Sequence, residues 1–279
     1  MRLIVICVFF PPLKSSAAIQ INDLVNQFVK QGHSISVITP DNSISSQYQI
    51  SKDNLLTVYR FKTNKIKDIN LFNRTINEFL MPFQIISTII WNSINLKNHN
   101  GIIWWSPSIF FTPLILFLKL LNNCPDYLIL RDIFPKWAKD LNLINNNLIY
   151  FIFEIFFKFQ CFVADIIGVQ SMGNIKFIPK KIFNKKTNVE VLNNWYSPIK
   201  KNIDINLKNI DFKNKKVLIY AGNIGLAQGF ETLLELAEKL RFNNNVIFLF
   251  IGRGSHFSYF REISKNKGLI NVIFHKEIS

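Results

Sequence analysis

Three glycines between an apolar run and a helical pattern are the residues best placed to do chemistry in this chain. Residues 217–221 lead into a loop carrying Gly222, Gly225 and Gly229, after which Phe230, Leu233, Leu234, Ala237 and Leu240 recur on one helical face. Strand, glycine turn and helix make half of a βαβ unit. The start of such a helix offers unpaired N–H groups and a positive dipole end, which suit an anion such as phosphate. Glycine lets the backbone approach that anion with no Cβ in the way. The spacing G-x-x-G-x-x-x-G is neither the dinucleotide G-x-G-x-x-G nor a P-loop, because no Lys-Ser/Thr follows. Two readings stand: phosphate binding, or glycines kept for turn geometry. A second glycine turn, Gly252-Arg253-Gly254, follows the next apolar run at 246–251.

The preceding residues supply the elements that must position such loops. Residues 2–10 read as a buried parallel strand ended by Pro11-Pro12. Ala17, Ile21, Leu24, Val25 and Phe28 mark an amphipathic helix that stops at Gly32, and 34–39 is the next strand. Ligands of such a unit gather at the carboxyl ends of the strands, here the loop 11–18. His33 lies at the other end, which argues against catalysis there. Further strands are expected at 55–61, 101–106, 126–131, 164–170, 188–193 and 271–275, with a polar helix before the last. Apolar helices are expected at 79–96 (with Pro82 near its start), 109–121 and 148–163, where Glu154 and Lys158 are spaced to pair. These three helices can pack on the sheet, or present an interfacial surface whose aromatics dip into a bilayer. The alternation of strand and helix predicts a doubly wound, mostly parallel sheet. The polar, Lys/Asn-rich stretch 196–212 reads as a linker between a first domain, 1–195, and a second, 213–279, which is short for a domain.

Composition narrows the class. A chain of 279 residues with 27 Phe can bury the cores of two α/β domains. Cys7, Cys124 and Cys161 form no C-x-x-C pair and the four histidines are scattered, which argues for a reducing compartment and against a disulfide frame or zinc site. The net charge of +15 is either a lysine coat on solvated faces or attraction to an anionic surface. The lysine clusters at 180–181, 185–186, 200–201 and 213–216 come with no nucleic-acid-binding motif. The apolar run 3–10 is too short for a signal peptide and no run of 18 apolar residues exists, so the expected location is cytoplasmic, peripheral to the inner membrane.

Four elements together carry a resemblance: Ala221-Gly-Asn-Ile-Gly-Leu-Ala-Gln-Gly229, Arg131-Asp-Ile-Phe-Pro-Lys-Trp-Ala138, Asn193-Asn-Trp195 and the Gly32-His33 helix end. In these the chain resembles family 4 glycosyltransferases, within the branch of bacterial N-acetyl-L-fucosamine (fucosamine) transferases of O-antigen and capsule synthesis. The resemblance implies an α/β fold of GT-B type: two doubly wound parallel-sheet (Rossmann-like) domains, the second incomplete. It implies retaining transfer of a sugar from a nucleotide diphosphate sugar (UDP- or GDP-linked) to a polyprenyl-diphosphate-linked glycan at the inner membrane. No cofactor beyond that donor substrate is implied. Such chemistry must neutralise the departing diphosphate, hold the acceptor hydroxyl in line and exclude water.

Carried onto this sequence, the resemblance gives Gly222, Asn223, Gly225, Gln228 and Gly229 the diphosphate. Many relatives place Arg and Lys where Asn223 and Gln228 stand, so Arg253 is the nearest cation to make up the charge, or else an ordinary solvated loop residue. Asp132 would orient or deprotonate the acceptor; its structural alternative is a helix N-cap. Ser15, Ser16 and Trp195 would meet the acceptor, and Trp137 either lines the cleft or belongs to the core. No D-x-D pair suits a metal, and Asp204-Ile-Asn206 reads as a loop, so no catalytic metal is expected. Family members continue with a two-glutamate segment and a closing helix that this chain lacks. The expectation is therefore a truncated or split enzyme with little activity alone, and the alternative is a non-catalytic remnant or subunit binding membrane, lipid-linked glycan or partner. A dinucleotide oxidoreductase is disfavoured by Pro11-Pro12 after the first strand, and a nucleic-acid binder rests on charge alone.

Overall fold

A computed structural model describes residues 1–277 apart from 14, 68, 107, 180–186, 197–211 and 226–227. Most of the expected linker, including Asp204-Ile-Asn206, lies outside the described residues, as do the lysine clusters at 180–181, 185–186 and 200–201. The chain divides into two compact units, Met1–Pro198 and Ile199–Ser279. The division falls inside the stretch expected to link the domains.

Unit 1 runs β1 (Arg2–Ile6), α1 (Ser16–Lys30), β2 (Ser34–Pro40), β3 (Tyr48–Asp53), β4 (Leu56–Phe61), α2 (Leu71–Trp91), β5 (Gly101–Ser106), α3 (Thr112–Asn122), β6 (Asp126–Leu130), α4 (Lys136–Asp140), α5 (Asn147–Val163), β7 (Ile166–Val169), α6 (Met172–Ile175) and β8 (Asn188–Val191). Its sheet has the order β3-β4-β2-β1-β5-β6-β7-β8. Every neighbouring pair is parallel except β3 with β4. Strands with helices on both faces must be apolar on both, and they are. Ile4, Ile6 and Trp104 point to α2, α3 and α5, while Leu3, Val5 and Trp105 point to α1. The winding reverses between β1 and β5, so the carboxyl ends of those strands open the crevice where ligands of such sheets collect.

The opposite edge is pinned by charge. Lys119 reaches Asp126 at 2.5 Å and Asp165 at 2.7 Å, and the Trp104 indole donates to Asp126 at 2.6 Å. Burial alone would lower the Lys119 pKa; its hydrogen bonds to the two carboxylates reverse this and hold it above the usual lysine range. His33 sits on this edge, its Nδ1 3.3 Å from the chain's amino group, as its distance from the expected ligand edge required.

Unit 2 is β9 (Lys216–Asn223), α7 (Phe230–Lys239), β10 (Val246–Arg253), α8 (Phe257–Asn266) and β11 (Val272–Lys276), a parallel sheet in the order β11-β10-β9. Phe230, the first residue of α7, is fully buried at its centre, with Phe250 and Phe260 at 4.7 and 5.2 Å between ring centroids.

Several boundaries differ from the sequence reading. The first strand leaves the ladder after Ile6, although Cys7, Val8 and Phe10 stay buried. Burial of the Cys7 thiol pushes its pKa to about 12, so it is inert. Helix α2 starts at Leu71, not at residue 79, because the Asn70 side chain accepts from the Asn73 N–H at 2.8 Å and caps it there. Pro82 is consequently mid-helix and buried. Strand β3 and helix α4 were not expected at all. The Glu154–Lys158 pair forms at 3.0 Å, and among the described residues no helix is long and apolar enough to cross a membrane.

Candidate functional site

In unit 2 the two glycine turns meet at the carboxyl edge of the sheet. Residues Gly222 and Asn223 pair with Gly252 and Arg253 as the last rungs of the β9–β10 ladder. A Cβ on Gly252 would stand 1.8 Å from the Gly222 carbonyl oxygen, and one on Gly254 would stand 2.1 Å from that of Ile224. Glycine is required at these two positions by close backbone approach. Beyond the ladder, the Ile224 N–H donates to the Arg253 carbonyl at 2.8 Å and the His256 N–H to the Ile224 carbonyl at 3.1 Å. Gly229 has φ +57° as the N-cap of α7, a left-handed conformation natural to glycine.

The Gln228 side chain closes the first loop. Its Oε1 accepts from the Gly225 N–H at 3.0 Å and from the Asn223 amide at 3.2 Å, so the donors left to this side chain are those of its NH₂. The Gly225 N–H is thereby committed inside the loop. Arg253 is not a free cation: its Nε lies 2.9 Å from Glu277, with both side chains largely exposed. Helices α7 and α8 both begin at this edge, and neither has a side-chain cap bond. Their uncapped N-termini supply positive potential where the loop lacks Lys and Arg. Glu231 in the first turn of α7 opposes an anion there. Ser255 and His256, joined at 2.9 Å, border the loop and were absent from the sequence reading.

In unit 1 the loop after β1 and the loop after β6 share the carboxyl edge. Arg60 donates to the Pro11 carbonyl and holds the first of them. Ser15 is the N-cap of α1, its Oγ accepting from the Ala18 N–H at 3.2 Å, so this hydroxyl is occupied; Ser16 is exposed beside it. Asp132 follows the end of β6. The N-cap of α4 is Pro135, so Asp132 does not cap that helix. Its carboxyl, which opens to solvent, has no hydrogen bond or ion pair among the described residues. Crowding by surrounding protein raises its pKa above the ordinary aspartate value, against a smaller opposing pull from Arg131.

Arg131, Gln20, Trp105 and Trp195 form the support beneath this loop. Arg131 Nη1 donates to Gln20 Oε1 at 2.5 Å and its guanidinium lies 5.3 Å from the Trp105 ring centroid. Trp195 donates its indole N–H to the Gln20 carbonyl at 2.9 Å and packs edge-on to Trp105 at 5.6 Å. Trp195 is therefore joined to the core, with its polar atom committed. Trp137 is exposed and touches Phe134 at 6.0 Å, on the outer side of the same loop. Among the described residues no three His, Cys, Asp or Glu side chains gather as a metal site. A polar hollow of about 310 Å³ lined by Gln47, Lys62, Asn64, Gln84, Thr88 and Trp91 lies by β4, with three strands between it and β6.

Residues 202–279 match the family model described as glycosyl transferases group 1. The chain is similar to a protein described as a colanic acid biosynthesis glycosyl transferase, WcaI of Escherichia coli (strain K12), at 23% identity over 98% of this chain and 71% of that protein. Among solved structures it resembles sucrose-phosphate synthase from Thermosynechococcus elongatus, with a TM-score of 0.68 at 11% identity over 100% of this chain and 71% of that one. It also resembles the catalytic domain of starch synthase IV from Arabidopsis thaliana, bound to ADP and acarbose, with a TM-score of 0.64 at 11% identity over 99% and 74%.

Proposed function

We propose that this chain, a glycosyltransferase built on the GT-B fold, moves a sugar from a UDP- or GDP-sugar to a polyprenyl-diphosphate-linked glycan in bacterial surface polysaccharide synthesis, with retention at the anomeric carbon. The observation that carries the donor half is the meeting of two uncapped helix N-termini at paired glycine turns, on the carboxyl edge of a parallel sheet. Such an edge stabilises a diphosphate as negative charge grows on it during departure. The NH₂ of Gln228 and the guanidinium of Arg253 would add donors, with Arg253 exchanging Glu277 for phosphate. Gly222 and Gly252 keep the two turns in contact.

The acceptor half rests on Asp132. A carboxylate at a strand's carboxyl end, unpaired and with a raised pKa, has the profile of a group that orients or deprotonates a hydroxyl. Arg131 and Trp195 act through it, by holding its loop via Gln20. Ser16 is the exposed hydroxyl on the same edge. The finer reading, an acetamidosugar such as N-acetyl-L-fucosamine passed at the inner membrane by a family 4 enzyme, follows from the resemblance of the motifs.

Calorimetric titration of the 279-residue chain with UDP- and GDP-sugars is the test. Saturable binding to one nucleotide series supports the enzyme. Failure to bind either leaves the competing reading, a remnant that recognises glycan or membrane without a donor. The anomeric configuration of product formed with a polyprenyl-linked acceptor, read by NMR, decides retention.

A further inference from the structure

Helix α5 is apolar on two sides. One side, with Phe157, Cys161 and Val163, packs inward. The other presents Leu148, Phe151, Ile152, Ile155 and Phe159, which share a face at helical spacing; Leu148 is 66% exposed and Phe151 55%. An amphipathic helix on a sheet has no reason to carry that second stripe. The surface does not stop at α5. Phe79 of α2 meets Phe156 of α5 at 5.9 Å, and α2 adds the exposed Phe72 and Ile76. Phe134 meets Phe153 at 5.1 Å and Trp137 at 6.0 Å, which joins exposed Trp137 to the same band. An apolar area spread over three helices marks a docking surface.

Charge selects its occupant. Of the acids bordering the band among the described residues, Glu78, Asp140 and Glu154 are paired, with Arg74, Lys136 and Lys158, and Asp132 alone is not. Lys139, lying over the Tyr150 ring at 4.5 Å, Lys65, whose carbonyl accepts from Asn77 of α2, and Lys176, over Phe177, have no acidic partner among the described residues and outnumber Asp132. A second copy of this chain would bring another +15 against the first. An anionic bilayer supplies the opposite charge and an apolar interior together. With no helix among the described residues able to cross, the surface can lie in the interface, not span it.

We propose that the α2–α4–α5 face seats unit 1 on an anionic bilayer, with α5 lying in the headgroup region. Asp132 is two residues before Phe134, so seating this band brings the loop bearing the acceptor-side carboxylate to the membrane surface. Only this last step, the delivery of a lipid-linked acceptor to Asp132, rests on the proposed function; the docking surface stands without it.

Vesicle flotation tests it, using phosphatidylcholine alone or with added phosphatidylglycerol. The full chain is expected to float with the anionic vesicles, less in high salt and less with phosphatidylcholine alone. The double substitution Phe151→Ser/Ile155→Ser is expected to lower partitioning about tenfold or more, with an unchanged melting curve and unchanged nucleotide-sugar titration. Should it not fold, Lys65→Glu/Lys139→Glu must weaken binding to the anionic vesicles in its place. Absence of vesicle binding, binding insensitive to these changes, or a solution dimer that the double substitution splits would each overturn the proposal. If the unsubstituted chain binds nucleotide sugar but no vesicles, this inference alone sinks; if it binds anionic vesicles but no nucleotide sugar, the functional reading sinks and the surface stands.

Discussion

Replacing Gly252 with Ala is the sharpest perturbation of the donor edge. At φ +158° the backbone there already disfavours an L side chain, and a collision is added to that cost. The new Cβ would sit 1.8 Å from the Gly222 carbonyl oxygen, where a carbon–oxygen contact is normally about 3.3 Å or more. The β9 and β10 ends must therefore separate by roughly 1.5 Å, which sacrifices the last ladder bonds and the Ile224-to-Arg253 bond. Two or three hydrogen bonds at about 1 kcal/mol each, together with overpacking strain of about 1–3 kcal/mol, put the loss at roughly 3–6 kcal/mol. Gly229→Ala is the control. It has nothing within 4 Å and only its positive φ to lose, at about 1 kcal/mol, and Gly229→Asn should cost less still. All five tryptophans lie in unit 1, so tryptophan fluorescence follows that unit during urea unfolding while far-UV circular dichroism reports both. Gly252→Ala should bring the unit 2 part of the dichroism change to lower urea, leave the tryptophan midpoint in place and weaken nucleotide-sugar binding at least tenfold. Equal costs for Gly252→Ala and Gly229→Ala, or an equal shift of the tryptophan midpoint, would refute the close-approach reasoning.

Three further outcomes are expected. Asp132→Asn should lower kcat by about 10²-fold or more with donor affinity unchanged. As a base Asp132 works deprotonated, so activity should fall with falling pH at a higher pH than an ordinary aspartate would give; because its folded pKa is raised, its stabilising contribution is present below the unfolded value and lost as pH rises through the folded one, so Asp132→Asn should raise Tm slightly at neutral pH. Glu277→Gln, by releasing Arg253, should tighten nucleotide-sugar binding a few-fold, whereas Arg253→Ala should weaken it about tenfold, both by calorimetry. Lys119→Met should destabilise unit 1 by about 3–5 kcal/mol in tryptophan-monitored unfolding, because Asp126 is left buried without its cation.

The parts legible in the sequence were those written in local pattern. Residues 101–106 became β5 with both ends as read, Phe230 opened its helix, and Gly32 ended α1 at φ +81°. Strand β3 was invisible because Tyr48–Asp53 is an edge strand, exposed almost throughout, and its alternation stops after Tyr48 and Ile50. The first turns of α2 were missed because Asn73, Arg74, Asn77 and Glu78 dilute the periodicity, while the Asn70 cap is one of many asparagines. At the candidate site, the glycine loop and Asp132 are named from the sequence, but the side chains that touch them are not. Gln20 lies 111 residues from Arg131 and 175 from Trp195, and no spacing rule joins them. The use of Gln228 to lock Gly225, and of Glu277 to hold Arg253, likewise depends on tertiary contact. Of the two readings of the apolar helices, packing is seen on one side of α5, while its other side is exposed.

Amide hydrogen exchange with and without a nucleotide sugar tests the donor edge most directly. Exchange should slow at the Asn223–Gly225 and Gly252–Ser255 turns and in the first turns of α7 and α8, while the Lys119 edge of unit 1 stays unchanged. No slowing with any UDP- or GDP-sugar, or slowing confined to unit 1, would contradict the account.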